Sequence, residues 1–207
     1  MSRRALLVAG IALLSAFGCA GRREGGVGPP AKIGSYRAVI DSGSGEERSF
    51  RLLLWVAEPG RLHAEALSPT GSPEVVLDGG GGRIAVSLPR RRTAYVGEAS
   101  ARAMERLLGV PLSLDDLVGA VLGVGASPDP AVRIDRAPAS GGGLPERIEI
   151  RSGGRTLRLV RRSVATTTLG EGTGTGAPVS GLTALPLEDL GPDDGAGFPG
   201  AEPGAGR

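Results

Sequence analysis

Two side chain types that could act as a nucleophile or a base each occur once in this sequence, as Cys19 and His63. With one cysteine and one histidine, we predict neither a transition-metal cluster nor a Cys–His or Ser–His–Asp arrangement. His63 alternates with Leu62 and Ala64 on a predicted strand, so we expect an exposed side chain and not a general base. We therefore expect no enzyme, no catalytic residue, no cofactor and no metal.

Other charged clusters also have an ordinary interpretation. Asp115 and Asp116 lie at a predicted helix start, where carboxylates favour the helix dipole, and a catalytic pair is the second interpretation. The run Arg90 to Arg92 lies between two predicted strands. It predicts a solvated turn, and contact with anionic headgroups is the alternative.

Cys19 directly follows an uncharged apolar stretch, residues 5–17, which begins behind two arginines. These are the parts of a secretory signal, and the stretch is too short to span a bilayer. A cysteine right after the cut resembles the bacterial lipoprotein signal, in which the thiol receives a diacylglyceryl group. The resemblance implies lipidation of Cys19 after removal of residues 1–18, and an ordinary secretory signal is the alternative. Ala20 is not the aspartate that retains such proteins in the inner membrane, which favours the outer membrane.

Composition divides the rest of the chain into three parts. Residues 19–34 predict a flexible tether, residues 35–169 one folded domain, and the acidic residues 170–207 a disordered tail with at most a docking segment near Leu182 to Leu190. Removing the signal takes two of the 24 Lys and Arg side chains and none of the 22 acids, so the mature chain is close to neutral. The mild positive excess before the tail favours an anionic membrane surface over nucleic acid.

Apolar side chains recur at every second position in five segments, which predicts strands that bury one face only. These segments are Phe50 to Val56, Leu62 to Ala66, Ile84 to Leu88, Ile148 to Ile150 and Leu157 to Leu159. Turn sequences rich in glycine and proline separate them and favour antiparallel hairpins. Such a meander has to cover its apolar face with another layer.

Two helices in the middle of the chain can provide this cover. Ser100 can cap a helix that ends at Gly109, and Ser113 with Asp116 makes a capping pair for a helix that ends at Gly123. The apolar residues on one face of the second helix are Leu114, Leu117, Val118, Val121 and Leu122. Their spacing is consistent with an ordinary core and with a removable lid over an apolar cavity.

Two stretches of sequence carry a resemblance to a known family. They are Leu67-Ser-Pro-Thr-Gly-Ser-Pro-Glu-Val-Val-Leu77 and Ala103-Met-Glu-Arg-Leu-Leu-Gly-Val-Pro-Leu-Ser-Leu-Asp-Asp-Leu-Val-Gly-Ala-Val-Leu-Gly123. In combination they resemble the LolB family of outer-membrane lipoprotein receptors. There, a P-x-G-s-x-E-l hairpin precedes a G-x-P-h-x-h-x-x-L-x-x-W-h-L-G helix pair (h, apolar; lower case, looser). The similarity covers roughly residues 35–160.

The resemblance implies a mainly β fold with α: an unclosed antiparallel β-barrel (half-barrel) with a helical lid over an apolar concave face. A lipid-anchored monomer of this kind binds lipoprotein acyl chains delivered by a LolA-like periplasmic carrier and helps insert lipoproteins into the outer membrane. The residues that we assign to the acyl-chain cavity are Phe50, Leu52, Leu54, Leu62, Ile84, Val86, Ile148 and Leu157. Those that we assign to the lid are Leu114, Leu117, Val118, Val121 and Leu122.

Three features depart from the family pattern. The hairpin tip expected to face the membrane is Pro69, Thr70 and Gly71, where the family can present a leucine. The tryptophan that the family has in its second helix is missing. The last strands of the family are not evident either: Val164 to Leu169 and Leu182 to Leu187 are irregular versions of them, or else the barrel has fewer strands. The alternative function is therefore an envelope-anchored lipoprotein with a structural or accessory ligand-binding role and no insertion activity.

Overall fold

The computed structural model describes residues 30–41, 43, 47–125, 129–139, 143–168 and 173–190. These residues form a mainly β protein with ten strands in one open sheet and two helices. The strands are β1 (Pro30–Asp41), β2 (Glu47–Ala57), β3 (Arg61–Leu67), β4 (Pro73–Gly80), β5 (Arg83–Leu88), β6 (Thr93–Glu98), β7 (Arg133–Ala137), β8 (Arg147–Ser152), β9 (Arg155–Thr168) and β10 (Thr183–Pro186). The helices are α1 (Ala101–Leu108) and α2 (Leu114–Leu122). The predicted signal peptide and Cys19 lie outside the described residues.

The strand order across the sheet is β10-β6-β5-β4-β3-β2-β1-β9-β8-β7. All neighbours are antiparallel except β10, which runs parallel to β6. Strand β6 lies near one edge of the sheet and β7 forms the other edge. The connection between them, which contains α1 and α2, therefore has to cross the sheet.

The helix boundaries and the mainly β class agree with the sequence prediction. Ser100 Oγ accepts a hydrogen bond from the N–H of Ala103, and Ser113 Oγ accepts one from the N–H of Asp116 at 3.1 Å. Both helices end at a glycine with positive φ, 77° at Gly109 and 81° at Gly123. Local capping thus sets the limits of both helices, because the serine and glycine residues allow the free backbone groups at the helix ends to be satisfied.

The prediction of a tether over residues 19–34 is wrong for residues 30–34, which form the start of β1 and pair with β2 and β9. Gly34 lies beneath the ring of Tyr36, and a methyl group at Gly34 would also come within 3.1 Å of Leu144. This glycine therefore allows close packing. Composition alone does not distinguish such a glycine from one in a flexible linker.

The prediction of a disordered tail is wrong for residues 173–181, whereas the predicted docking segment near Leu182 to Leu190 does pack on the sheet. We call residues 173–190 the C-terminal strap. The strap starts on the face of the sheet that carries Asp78, and its strand β10 then pairs with β6. Leu187 and Leu190, 5% exposed, join the buried core on the opposite face, where Gly97 leaves room for Leu187. The strap thus passes from one face around the sheet edge to the other. Residues 191–207 lie outside the described part.

Asp78 holds the start of the strap. Its two carboxylate oxygens accept hydrogen bonds from the N–H groups of Gly174 at 2.9 Å, Thr175 at 2.8 Å and Gly176 at 2.9 Å. The same carboxylate bonds to His63 Nδ1 at 3.0 Å. A carboxylate is the one side chain that can accept this many bonds while carrying the charge that strengthens each of them.

His63 is half-buried, and the prediction of an exposed histidine is therefore wrong. Its Nε2 lies 3.2 Å from Glu65 Oε1, and its ring meets the edge of Trp55 at a centroid distance of 5.1 Å. Burial alone would lower the pKa of His63, but the hydrogen bonds and charges of Asp78 and Glu65 outweigh it and raise the pKa to about 9. Both ring nitrogens are therefore protonated at neutral pH and engaged with carboxylates.

Asp78 shows the opposite shift. Burial by itself would raise the pKa of Asp78, but the hydrogen bonds from His63 and from the three strap N–H groups outweigh it and hold the pKa below its ordinary value of 3.8. The Asp78 contribution to stability is thus present above pH 3.8 and is lost as the pH falls through its folded-state pKa. The His63 contribution is complete below pH 6.5 and is lost as the pH rises through about 9.

We expect Asp78→Asn to lower the free energy of unfolding by roughly 1–3 kcal/mol, because the amide is a weaker acceptor and leaves His63 with one carboxylate. Urea unfolding at about pH 5, 7 and 9 measures this. The natural chain should lose stability between about pH 7 and 9, and the variant should lose less because its His63 pKa lies closer to 6.5. Asp189→Asn, an exposed change on the same strap, is the control. If Asp78→Asn lost as much stability between about pH 7 and 9 as the natural chain, the pH dependence would not come from the His63–Asp78 pair.

Candidate functional site

The candidate site is the apolar face of the sheet where α1 and α2 cover it. Alternation in β3 directs Leu62, Ala64 and Ala66 to this face, and His63 and Glu65 to the other. Helix α2 contacts β2 and β3, and its first residue, Leu114, packs onto Gly79 of β4. The helices and the sheet share one buried apolar cluster.

A cavity of about 40 Å³ lies between the sheet and the helices, and apolar residues alone line it. Its lining residues are Ala38, Ile40, Phe50, Leu52, Leu54, Leu62, Ala64, Ala66, Val75, Leu77, Leu108, Leu117, Leu157 and Leu159. An apolar cavity of ~150 Å³ takes up benzene, so this smaller space holds at most a few methylene groups. As described, the cavity has no room for a long acyl chain.

The eight residues predicted to form the acyl-chain cavity all belong to or pack against the same buried cluster. Five of them line the cavity, namely Phe50, Leu52, Leu54, Leu62 and Leu157. The other three, Ile84, Val86 and Ile148, are at most 1% exposed and are absent from the cavity lining. Strands β5 and β8, which carry these three, lie directly outside the five adjacent strands that line the cavity, β4, β3, β2, β1 and β9.

The five residues predicted to form the lid lie on α2 and face the sheet. Leu114, Leu117, Val118 and Val121 are at most 5% exposed, and Leu122 is partly buried against the cluster. Leu117 alone among them lines the cavity. The second helical residue at the cavity is Leu108 of α1, which the sequence analysis did not assign to the site.

Three alanines at the cavity were not assigned to it from the sequence. Ala38 on β1 and Ala64 and Ala66 on β3 lie on the two sides of β2 and leave space because their side chains are short. The alternation of β3 indicated the face of Ala64 and Ala66. That Ala38 lies at the same cavity depends on the pairing of β1 with β2, which the sequence pattern does not show. A run of alanines facing inward is the signal that points to the cavity.

The hairpin tip between β3 and β4 is polar and held in shape by its own hydrogen bonds. The hydroxyl of Ser68 bonds to that of Thr70 at 2.8 Å and accepts the N–H of Ser72 at 3.1 Å. The N–H of Gly71 donates to the Ser68 carbonyl at 2.9 Å. Thr70 and Pro69 are exposed. The tip therefore projects from the sheet with a rigid backbone and no large apolar side chain.

The arginine run suggested as a headgroup contact forms a short turn, Pro89–Arg91, at the end of β5. Arg90 binds Glu74 at 3.0 Å, so this arginine already has a carboxylate partner within the fold.

Among the described residues, no group of three or more His, Cys, Asp and Glu side chains could hold a metal ion. No helix in the described ranges is both long and apolar enough to cross a membrane. The arrangement offers an apolar space under a helical cover, and this lining suits apolar groups.

No protein-family model matches this chain, and neither does any curated protein.

Proposed function

We propose that this protein is a lipid-anchored receptor at the periplasmic face of the outer membrane. It binds the acyl chains of lipoproteins between the apolar sheet face and the two helices, and it helps insert those lipoproteins into the membrane. The observation that carries the proposal is the entirely apolar cavity between the middle of the sheet and a helical cover. The signal-like start, Cys19 and the two LolB-like stretches support it.

In this proposal the open sheet acts as a half-barrel and α1 and α2 act as its lid. Because the space now measures about 40 Å³, an acyl chain enters only when the helices move away from the sheet. Separating Leu108 and Leu117 from the sheet would cost about 1.5–3 kcal/mol each if water replaced the contact. An entering chain gains ~0.8 kcal/mol per CH₂, so ten methylene groups offset the separation of these two side chains, and further methylene groups have to offset that of the other buried α2 residues. The chain itself then covers the separated surfaces.

We expect a disulfide that ties α2 to the sheet to block acyl-chain uptake. A β-carbon at Gly60 would lie 3.5 Å from the carboxyl carbon of Asp115 at the start of α2, which suits a Gly60→Cys, Asp115→Cys pair. The mature chain with Cys19→Ser avoids the native thiol. Transfer of a lipoprotein from a LolA-like carrier is the measurement. Uptake should fall at least about tenfold in the oxidised protein and recover on reduction.

The Gly60→Ser, Asp115→Ser pair is the matched control, because it carries the same backbone strain at Gly60, where φ is 53°, without the bond. Equal uptake by the oxidised and reduced cysteine variants would show that acyl chains do not enter beneath α2.

Thr70→Leu tests the hairpin tip. The main-chain bonds of the tip do not involve the Thr70 side chain, so the tip should keep its shape. Burying one leucine in the membrane gains about 1.5–3 kcal/mol, so we expect insertion of lipoprotein into vesicles to rise about tenfold or more. Thr70→Ser keeps the hydroxyl and should behave like the natural chain. A Thr70→Leu variant with unchanged insertion would exclude the tip as the membrane contact.

The alternative is an envelope-anchored lipoprotein with a structural or accessory ligand-binding role. The small cavity and the polar tip residue Thr70 favour it. Depletion of the protein separates the two functions. If the protein is a receptor, its depletion should leave outer-membrane lipoproteins mislocalised, because their acyl chains lose their last carrier. Membrane fractionation measures this. Normal localisation after depletion would favour the accessory role.

A further inference from the structure

A second cavity, of about 440 Å³, lies where β3 ends. The pairing of β3 with β2 ends at Leu67 opposite Arg51, so the earlier part of β2 has no β3 neighbour. The resulting step lies between strands β1 and β2 and the hairpin that joins β3 to β4. Three guanidinium side chains line it, those of Arg37, Arg51 and Arg162, and we call it the arginine notch.

Strand register brings the three arginines together. Arg37 and Arg51 are direct partners in the β1–β2 ladder. Arg162 is the extra residue of β9 at the register shift of its pairing with β1. A bulge of this kind turns a side chain away from its regular direction. Since like charges directly opposite each other destabilise a strand pair, the notch keeps its positive charge at the expense of stability.

The positive charge of the notch is not balanced within the described part of the chain. No acidic side chain lines the notch, and neither Arg51 nor Arg162 has an ion-pair or hydrogen-bond partner among the described residues. Arg37 Nε donates to Ser49 Oγ, a neutral acceptor, at 3.0 Å. The arginines of β8, by contrast, bind carboxylates of β7 and β8.

The geometry of the notch suits a phosphate group. Guanidinium groups bind phosphate oxygens in pairs, and Ser49 adds a hydroxyl group to the lining. The volume of about 440 Å³ falls within the range of small-ligand sites. Arg51 Nη2 would lie 3.0 Å from a methyl group at Gly71, which places this guanidinium group beside the exposed hairpin tip.

Phe50 lines both the arginine notch and the apolar cavity. A site for an anion therefore shares a wall with a site for apolar groups, as an amphiphile requires. We infer that the arginine notch binds the phosphate of an anionic lipid headgroup when the hairpin tip meets a membrane. This inference does not depend on acyl-chain transfer, because a headgroup can bind while the helices stay closed.

Sedimentation with vesicles tests the inference on the full mature chain with Cys19→Ser. Vesicles of phosphatidylcholine alone are compared with vesicles that also contain phosphatidylglycerol. Each arginine near an anionic surface contributes roughly a fivefold gain in affinity, so Arg51→Gln with Arg162→Gln should weaken binding to the anionic vesicles about 25-fold. Arg102→Gln with Arg106→Gln, on the exposed side of α1, removes the same charge elsewhere and should have little effect.

Further measurements separate a specific site from general attraction. Arg51→Lys keeps the charge but lacks the planar fork, so it should bind more weakly than the natural chain. Thermal unfolding should show that Arg51→Gln is at least as stable as the natural chain without lipid, because one like-charge contact is gone. Equal losses in the notch and α1 variants would overturn the inference. Arginine-dependent binding of inorganic phosphate without binding to anionic vesicles would also overturn the lipid assignment.

Discussion

The structure depends on keeping one apolar face of an open antiparallel sheet away from water. Aromatic side chains make up only 3% of the sequence, so many small aliphatic contacts have to do this instead of a few large rings. The contacts come from α1 and α2, which cross the sheet from β6 toward β7, and from Leu187 and Leu190 at the end of the strap. The helices are short, and isolated helices of eight or nine residues are marginal in water. Their order therefore depends on the sheet as much as the sheet depends on them.

The polar face meets a different requirement, which is to hold the strap at the edge of the sheet. Without β10, strand β6 would be an edge strand with free backbone groups. β10 covers it with four residues ending at Pro186, which has no N–H to offer a further strand. A four-residue parallel pairing is weak by itself. The charged bonds at Asp78 on one face and the buried leucines on the other explain how so short a strand stays in place.

The sequence predicted those parts of the fold whose causes are local. Period-two alternation identified parts of β2, β3, β5, β8 and β9, and the serine caps and terminal glycines identified both helices to the residue. The predicted face of α2 is buried, and five predicted cavity residues line one space. These predictions succeeded because alternation and capping act within a few residues of the chain.

The parts that sequence reasoning missed depend on contacts between distant segments. Asp78 and Gly174 are 96 positions apart, and the glycines and prolines around the strap have the composition of an unstructured tail. The burial of His63 was missed for a similar reason. Alternation placed His63 correctly on the polar face, but it could not show that the carboxylates of Asp78 and Glu65 flank the ring there. The arginine notch likewise exists only once the β1–β2 ladder and the bulge in β9 are formed.

The two proposed binding functions meet on β2, and the period of a strand explains how. Phe50 and Arg51 are consecutive, so their side chains leave the strand on opposite sides, one toward the apolar face and the other toward solvent. At an ordinary position these sides are separated by the full sheet. Here β3 stops at Leu67, and the step that it leaves lets Phe50 form a wall of both cavities. The proposed phosphate site at Arg51 thus lies next to the apolar cavity. Arg37, Arg51 and Arg162 are exposed, so the proposed headgroup site is accessible while the helices stay closed.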